Sequence, residues 1–132
     1  MGHYLRILAF GIIGAAAPSM LDSGRQSLEY RVQRELSSNR RVIVQFSQDG
    51  CGLCKDFSAD ILERKKGRTD VSFYDEDLRT PEEVRAAKRL ASEYGFDLTA
   101  VPAHLCAEDG TVDRQSSGYV SQGLLDKFIE RP

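Results

Sequence analysis

Apolar residues recur at two different spacings along the chain, and the change from one to the other marks out its elements. Leu28, Val32 and Leu36 lie one helical turn apart, which predicts an amphipathic helix with Asp22 or Ser23 near its start. Residues 37–40 are polar and end it. Residues 42–46 are apolar except for Gln45 and rich in β-branched side chains, the composition of a buried strand. Gln48, Asp49 and Gly50 make the next turn. From Gly52 onward, Cys54, Phe57, Ile61 and Leu62 return to helical spacing until the polar stretch 63–67, so Cys51 falls at the N-terminus of a second helix.

Residues 71–74 read as another short strand. Thr80-Pro81-Glu82-Glu83 combines a capping box with proline in the first helical position, and so predicts a third helix. Its buried stripe is expected to be Val84, Ala87, Ala91 and Tyr94, with Gly95 as a left-handed stop. Residues 103–106 and 111–114 flank Asp109-Gly110, a dipeptide that favours a tight antiparallel hairpin. Ser121 can cap a last helix whose stripe is Leu124, Leu125, Phe128 and Ile129. The order is helix, strand, helix, strand, helix, hairpin, helix. Strands separated by helices are expected to run parallel through right-handed crossovers. The fold class is therefore α/β, with a mixed central sheet of about four strands flanked by helices.

Composition narrows the function. With 132 residues, 41% hydrophobic and 29% charged, the chain is long enough for one core, assigned to residues 18–132. Its 18 basic and 20 acidic residues are intermixed, so no basic face points to nucleic acid as a partner. Residues 1–17 differ in kind: Arg6 precedes an apolar stretch that ends in Ala15, Ala16 and Ala17 before Pro18. That is the layout of a secretory signal peptide and predicts export, with the periplasm as destination. The alternatives are a retained N-terminal anchor, or an apolar segment packed on a cytoplasmic domain. Residues 7–21 fall short of the roughly 20 apolar residues that span a bilayer, which makes a membrane helix the weakest of the three.

Three cysteines are too few to staple a fold, and two of them form Cys51-Gly52-Leu53-Cys54. A Cys-x-x-Cys pair beside a βαβ pattern resembles the thioredoxin superfamily. The resemblance covers about residues 28–129 and rests on three features in order. A strand runs into the cysteine pair at a helix start, Val101-Pro102 enters the hairpin, and Asp109-Gly110 is followed by Gly118 before the last helix. With Gly118-Tyr119 and the export signal, the chain is most similar to periplasmic thioredoxin-like proteins. The resemblance implies a thiol-disulfide oxidoreductase without an organic cofactor. Its partners would be protein thiols or disulfides, and a redox protein that supplies or accepts electrons. It also implies that Pro102 is a cis-proline facing the dithiol, with Val101 offering backbone groups to an extended substrate segment. An exported reductase would need a membrane-bound electron donor, because its surroundings are oxidising.

The chemistry agrees with the resemblance. A thiolate attacks a disulfide, and a helix N-terminus supplies the positive potential and free N–H groups that favour one at Cys51. Cys54, one turn on, can resolve the mixed disulfide that results. Three departures stand out: Gly50 replaces the family's Trp, Leu53 its Pro, and Gln45 a buried Asp on the preceding strand. Gln45 cannot exchange a proton at neutral pH. Asp49, Asp56 and Asp75 are positional candidates for that task, none of them assigned. Two other readings remain open. One is a binding module that keeps the fold without efficient redox chemistry. The other is a zinc site completed by His104 and Cys106, which share a strand face. Cys106 otherwise reads as a small buried apolar residue, and His104 as packed or at an edge.

Overall fold

The computed structural model describes residues 27–130. The segment 1–17 expected to be a signal peptide, and Asp22 and Ser23, lie outside the described residues. The first helix, α1 (Leu28–Leu36), is capped by Ser27, whose Oγ accepts the Tyr30 N–H. It leads to β1 (Arg41–Ser47), α2 (Gly52–Lys65), β2 (Val71–Asp77) and α3 (Pro81–Glu93). The hairpin strands β3 (Ala103–Glu108) and β4 (Thr111–Ser117) follow, and α4 (Gln122–Ile129) ends the described chain. Among the described residues, four helices flank one four-stranded mixed sheet of order β2-β1-β3-β4.

Local signals explain most of these boundaries. Thr80 caps α3 by accepting the Glu83 N–H, and Glu83 Oε1 accepts the N–H of Arg79, one residue earlier than a standard capping box. Ser121 accepts the Leu124 N–H at the start of α4. Asp109 and Gly110 both have positive φ, 52° and 81°, as a two-residue type I′ hairpin requires. Gly95, at φ 83°, stops α3 as expected.

Two expectations need correction. The stripe of α3 is Ala86, Ala87, Leu90 and Ala91, while Val84 and Tyr94 are only half-buried at its rim. The larger difference is direction. β1 and β2 are parallel, but β3 runs antiparallel to β1 although a helix precedes it. The segment between α3 and β3, residues 94–102, is the reason. A short link would deliver β3 parallel to β2, whereas at about 3.3 Å per residue this segment is long enough to run back along the sheet first. β3 therefore begins at the end of the sheet where β1 finishes.

The alternation of β1 separates two cores. Val42, Val44 and Phe46 face α1 and α3, together with Leu36, Leu90 and Leu105. Ile43 faces α2 and α4 with Phe57, Ile61, Leu125 and Phe128. Arg41, fully buried, closes one end of this second layer. Its Nε donates to the Phe128 carbonyl at 2.7 Å and its Nη1 pairs with Asp113 on β4. Removing one partner of a buried pair strands the other charge. Asp113→Ala is therefore expected to cost about 3 kcal/mol or more in urea unfolding, with Cm falling and m unchanged.

On the opposite layer, Arg31 sends both Nε and Nη2 to Glu76 Oε1, at 3.3 and 3.0 Å. Burial, and then the adjacent Glu76 carboxylate, push the Glu35 carboxyl up from 4.5 to about 9. Glu35 is thus protonated at neutral pH in the folded chain and ionised when unfolded. Unfolding then releases a proton, and stability is expected to fall as pH rises between about 4.5 and about 9. Melting curves across that range should show the decline, and Glu35→Gln should flatten it.

Candidate active site

β1 delivers the chain to a turn in which the Cys51 N–H donates to the Gln48 carbonyl at 3.2 Å. Gly50 takes φ 79° there, a left-handed conformation that a bulky side chain would strain. Cys51 is the N-cap of α2, and its Sγ accepts the Cys54 N–H at 3.0 Å. The first turn of α2 contains no acidic residue, so nothing there offsets the positive end of the helix. Cys51 and Cys54 form a disulfide with Cα atoms 5.3 Å apart. Cys51 is half-buried, whereas Cys54 is only 2% exposed. The two sulfurs are therefore unequal in access and in hydrogen bonding.

Beneath the disulfide lies a chain of polar side chains crossing all four strands of the sheet. Gln45 Nε2 donates to the Cys54 carbonyl at 3.1 Å and to Ser58 Oγ at 2.8 Å, and reaches Asp75 Oδ1 on β2 at 3.4 Å. Ser47 Oγ donates to the same Asp75 oxygen at 2.7 Å. On the other side, Gln45 Oε1 is 2.8 Å from His104 Nε2, and His104 Nδ1 is 3.3 Å from Ser116 Oγ. A carboxamide oxygen only accepts, so His104 carries its proton on Nε2 and accepts from Ser116. Burial lowers the His104 pKa to about 4, which leaves it neutral at physiological pH. Phe57 and Phe128 enclose its ring, with centroids 5.9 and 5.1 Å away.

These positions decide several expectations. His104 is packed rather than at an edge, and both of its ring nitrogens are engaged. Cys106 lies two residues along the same face, fully buried. Burial pushes its thiol far up, which makes it inert. Among the described residues no group of three or more His, Cys, Asp or Glu could hold a metal ion. Asp49 and Asp75 line one open cleft of about 440 Å³ with Cys51 and Cys54, and Asp56 does not. Gln45, seen in the sequence as an interruption of an apolar strand, is the centre of the polar chain. The signal for its partner was the alternation Val71, Phe73, Asp75, which places Asp75 on the same sheet face.

The Val101–Pro102 bond is cis. Because β3 is antiparallel to β1, this dipeptide sits at the sheet end where the dithiol turn begins. The Pro102 carbonyl accepts the Gly118 N–H at 2.8 Å. The backbone N–H and C=O of Val101 have no partner among the described residues. Leu53 and Tyr119, 37% and 71% exposed, supply apolar surface, and the Tyr119 ring lies 5.9 Å from that of Phe57.

Comparison with known proteins is consistent with this geometry. The family model of the Thioredoxin-like domain matches residues 31–131. A thioredoxin of Mycoplasmoides gallisepticum is 25% identical over 95 residues, spanning 72% of this chain and 87% of that protein. The probable thioredoxin-2 of Caenorhabditis elegans is 30% identical over 104 residues, spanning 79% and 67%. Among solved structures, thioredoxin O2 from Arabidopsis thaliana in its oxidised state matches with a TM-score of 0.54 at 24% identity, over 70% of this chain and 78% of that one. A thioredoxin variant from Halobacterium salinarum matches with a TM-score of 0.53 at 27% identity, over 73% and 77%. A mixed sheet that leads into a Cys-x-x-Cys disulfide at a helix start, matched by this family along most of its length, places the chain in the thioredoxin superfamily as a thiol-disulfide oxidoreductase.

Proposed function

We propose that this oxidoreductase reduces protein disulfides outside the cytoplasm, with Cys51 as the attacking thiolate and Cys54 as the resolving thiol. The observation that carries the assignment is the inequality of the two sulfurs. Cys51 Sγ is the half-buried N-cap that receives the Cys54 N–H, while Cys54 is buried behind it. A helix N-terminus favours the thiolate at the first position, and access favours its attack.

In the first step Cys51 forms a bond to one substrate sulfur and expels the other as a thiolate. In the second, Cys54 attacks Cys51 Sγ, the bond to the substrate breaks, and the Cys51–Cys54 disulfide remains. Each cycle leaves the protein short of two electrons and two protons, which a donor dithiol must return. For an exported protein that donor is membrane-bound, since the surroundings are oxidising. Val101 and Pro102 hold the substrate: the unpartnered Val101 N–H and C=O can pair with an extended peptide, as in strand addition. Leu53 and Tyr119 flank that segment with apolar surface. The apolar stretch ending in Ala15-Ala16-Ala17 supports export.

Turnover with a protein disulfide is expected to vanish in Cys51→Ser. Cys54→Ser should instead accumulate a mixed disulfide with substrate, visible by mass spectrometry without reductant. The pair's reduction potential, from equilibration with dithiothreitol or glutathione buffers, should lie near the reductase end of the family range, about −270 mV. A value near about −120 mV would make the protein a disulfide donor, and turnover that survives in Cys51→Ser would defeat the assignment. Cell fractionation with N-terminal sequencing tests export: the protein should be found outside the cytoplasm, beginning close to Pro18.

A further inference from the structure

Cys54 must lose a proton before or while it attacks Cys51, because the thiol itself is a poor nucleophile. Burial makes that loss harder, and Cys54 is 2% exposed. The side chain directly beneath it, Gln45, has no titratable proton. We propose that Asp75 takes the Cys54 proton as the resolving disulfide forms, and that Gln45 is the positioning residue between them. The inference rests on the assignment of Cys54 as the resolving thiol.

The geometry singles out Asp75 among the ionisable groups around the site. It lines the same open cleft as Cys54, so solvent can bridge carboxylate and thiol. It is also tied to Cys54 through protein, since Gln45 Nε2 reaches both the Cys54 carbonyl and Asp75 Oδ1. Those bonds leave the carboxylate able to accept. Gln45 has two amide hydrogens for three acceptors, and Asp75 is the most distant of them at 3.4 Å. Only Ser47 donates to it at short range, and Oδ2 has no partner among the described residues.

The other groups are less suited. Asp77 in the same cleft is paired with Arg79 at 3.3 Å. Asp49 stands on the turn before Cys51 with no hydrogen bond towards Cys54, and Lys55 is cationic. His104 has both nitrogens occupied. Glu76 points to the opposite sheet face, towards Arg31. In the balanced step the Cys54 S–H proton passes to Asp75 while the new sulfur–sulfur bond forms and the Cys51–substrate bond breaks. The departing substrate thiolate then recovers that proton, so no external oxidant or reductant enters.

The test is stopped-flow reaction of the reduced protein with a chromogenic aromatic disulfide, 5,5′-dithiobis(2-nitrobenzoate). A first phase reports Cys51 attack and releases one coloured thiolate; a second reports Cys54 attack and releases another. Asp75→Asn keeps the shape and the Ser47 bond. It should leave the first phase within about twofold and slow the second about a hundredfold at pH 7, the scale of one general base. The deficit should shrink as pH rises and Cys54 ionises unaided, and added imidazole or formate should restore the rate through the open cleft. Asp75→Glu should recover part of it. A second phase slowed by less than about threefold, or slowed equally at every pH and unaffected by added base, overturns the proposal. Wild-type protein that shows no first phase would instead refute the dithiol assignment on which it rests.

Discussion

A carboxamide buried at the centre of a sheet has to find partners for all of its polar atoms, since each one left unpaired costs about 1–3 kcal/mol. Gln45 meets that demand by bonding to side chains and backbone on both neighbouring strands and on α2. Those bonds constrain the site. The bond to the Cys54 carbonyl fixes the first turn of α2 against the sheet, and with it the N-cap geometry of Cys51. The bond from His104 locks β3 in register with β1, and the cis Val101-Pro102 dipeptide leads directly into β3. The Val101-Pro102 segment and the cysteine pair are thus set relative to one another through one neutral side chain.

Neutrality has its own consequence. A buried carboxylate in this position would place a charge beneath Cys54 and titrate with it, so that the apparent pKa values would belong to the pair. Here the buried centre, Gln45 with a neutral His104 and two serines, carries no charge at physiological pH. The carboxylates stand at the wall of an open cleft instead. There solvent and dissolved salt screen them. If Asp75 takes the Cys54 proton as proposed, proton handling moves from the floor of the site to its edge, where bulk solvent can take part.

Local chemistry was legible in the sequence wherever it acts over a few residues. The caps at Thr80 and Ser121, the Asp109-Gly110 hairpin and the Cys51–Cys54 spacing each follow from residues that touch near neighbours. What the sequence concealed was long-range. Gln45 and His104 are 59 residues apart, Arg31 and Glu76 are 45 apart, and Arg41 meets Phe128 across 87. Gln45, His104, Arg31, Glu76 and Arg41 each read alone as an isolated polar side chain, and only the fold supplies the partner. The reversed direction of β3 was hidden for a related reason. Direction depends on how far residues 94–102 travel, and their composition does not specify a path.

The third cysteine shows why this arrangement matters for the first two. Cys106 lies on the same sheet face as His104, on the strand next to the one that feeds the dithiol. An accessible thiolate there could capture the mixed disulfide proposed at Cys51 and divert it into unproductive disulfides. Packing prevents this twice over. Ile43, Phe128 and Ile129 share the closed apolar layer with Cys106, so no substrate sulfur can approach it. Burial also raises its pKa so far that its thiolate fraction is negligible. The apolar layer between Arg41 and Gln45 therefore keeps the third thiol both enclosed and protonated, apart from the pair at the helix N-terminus.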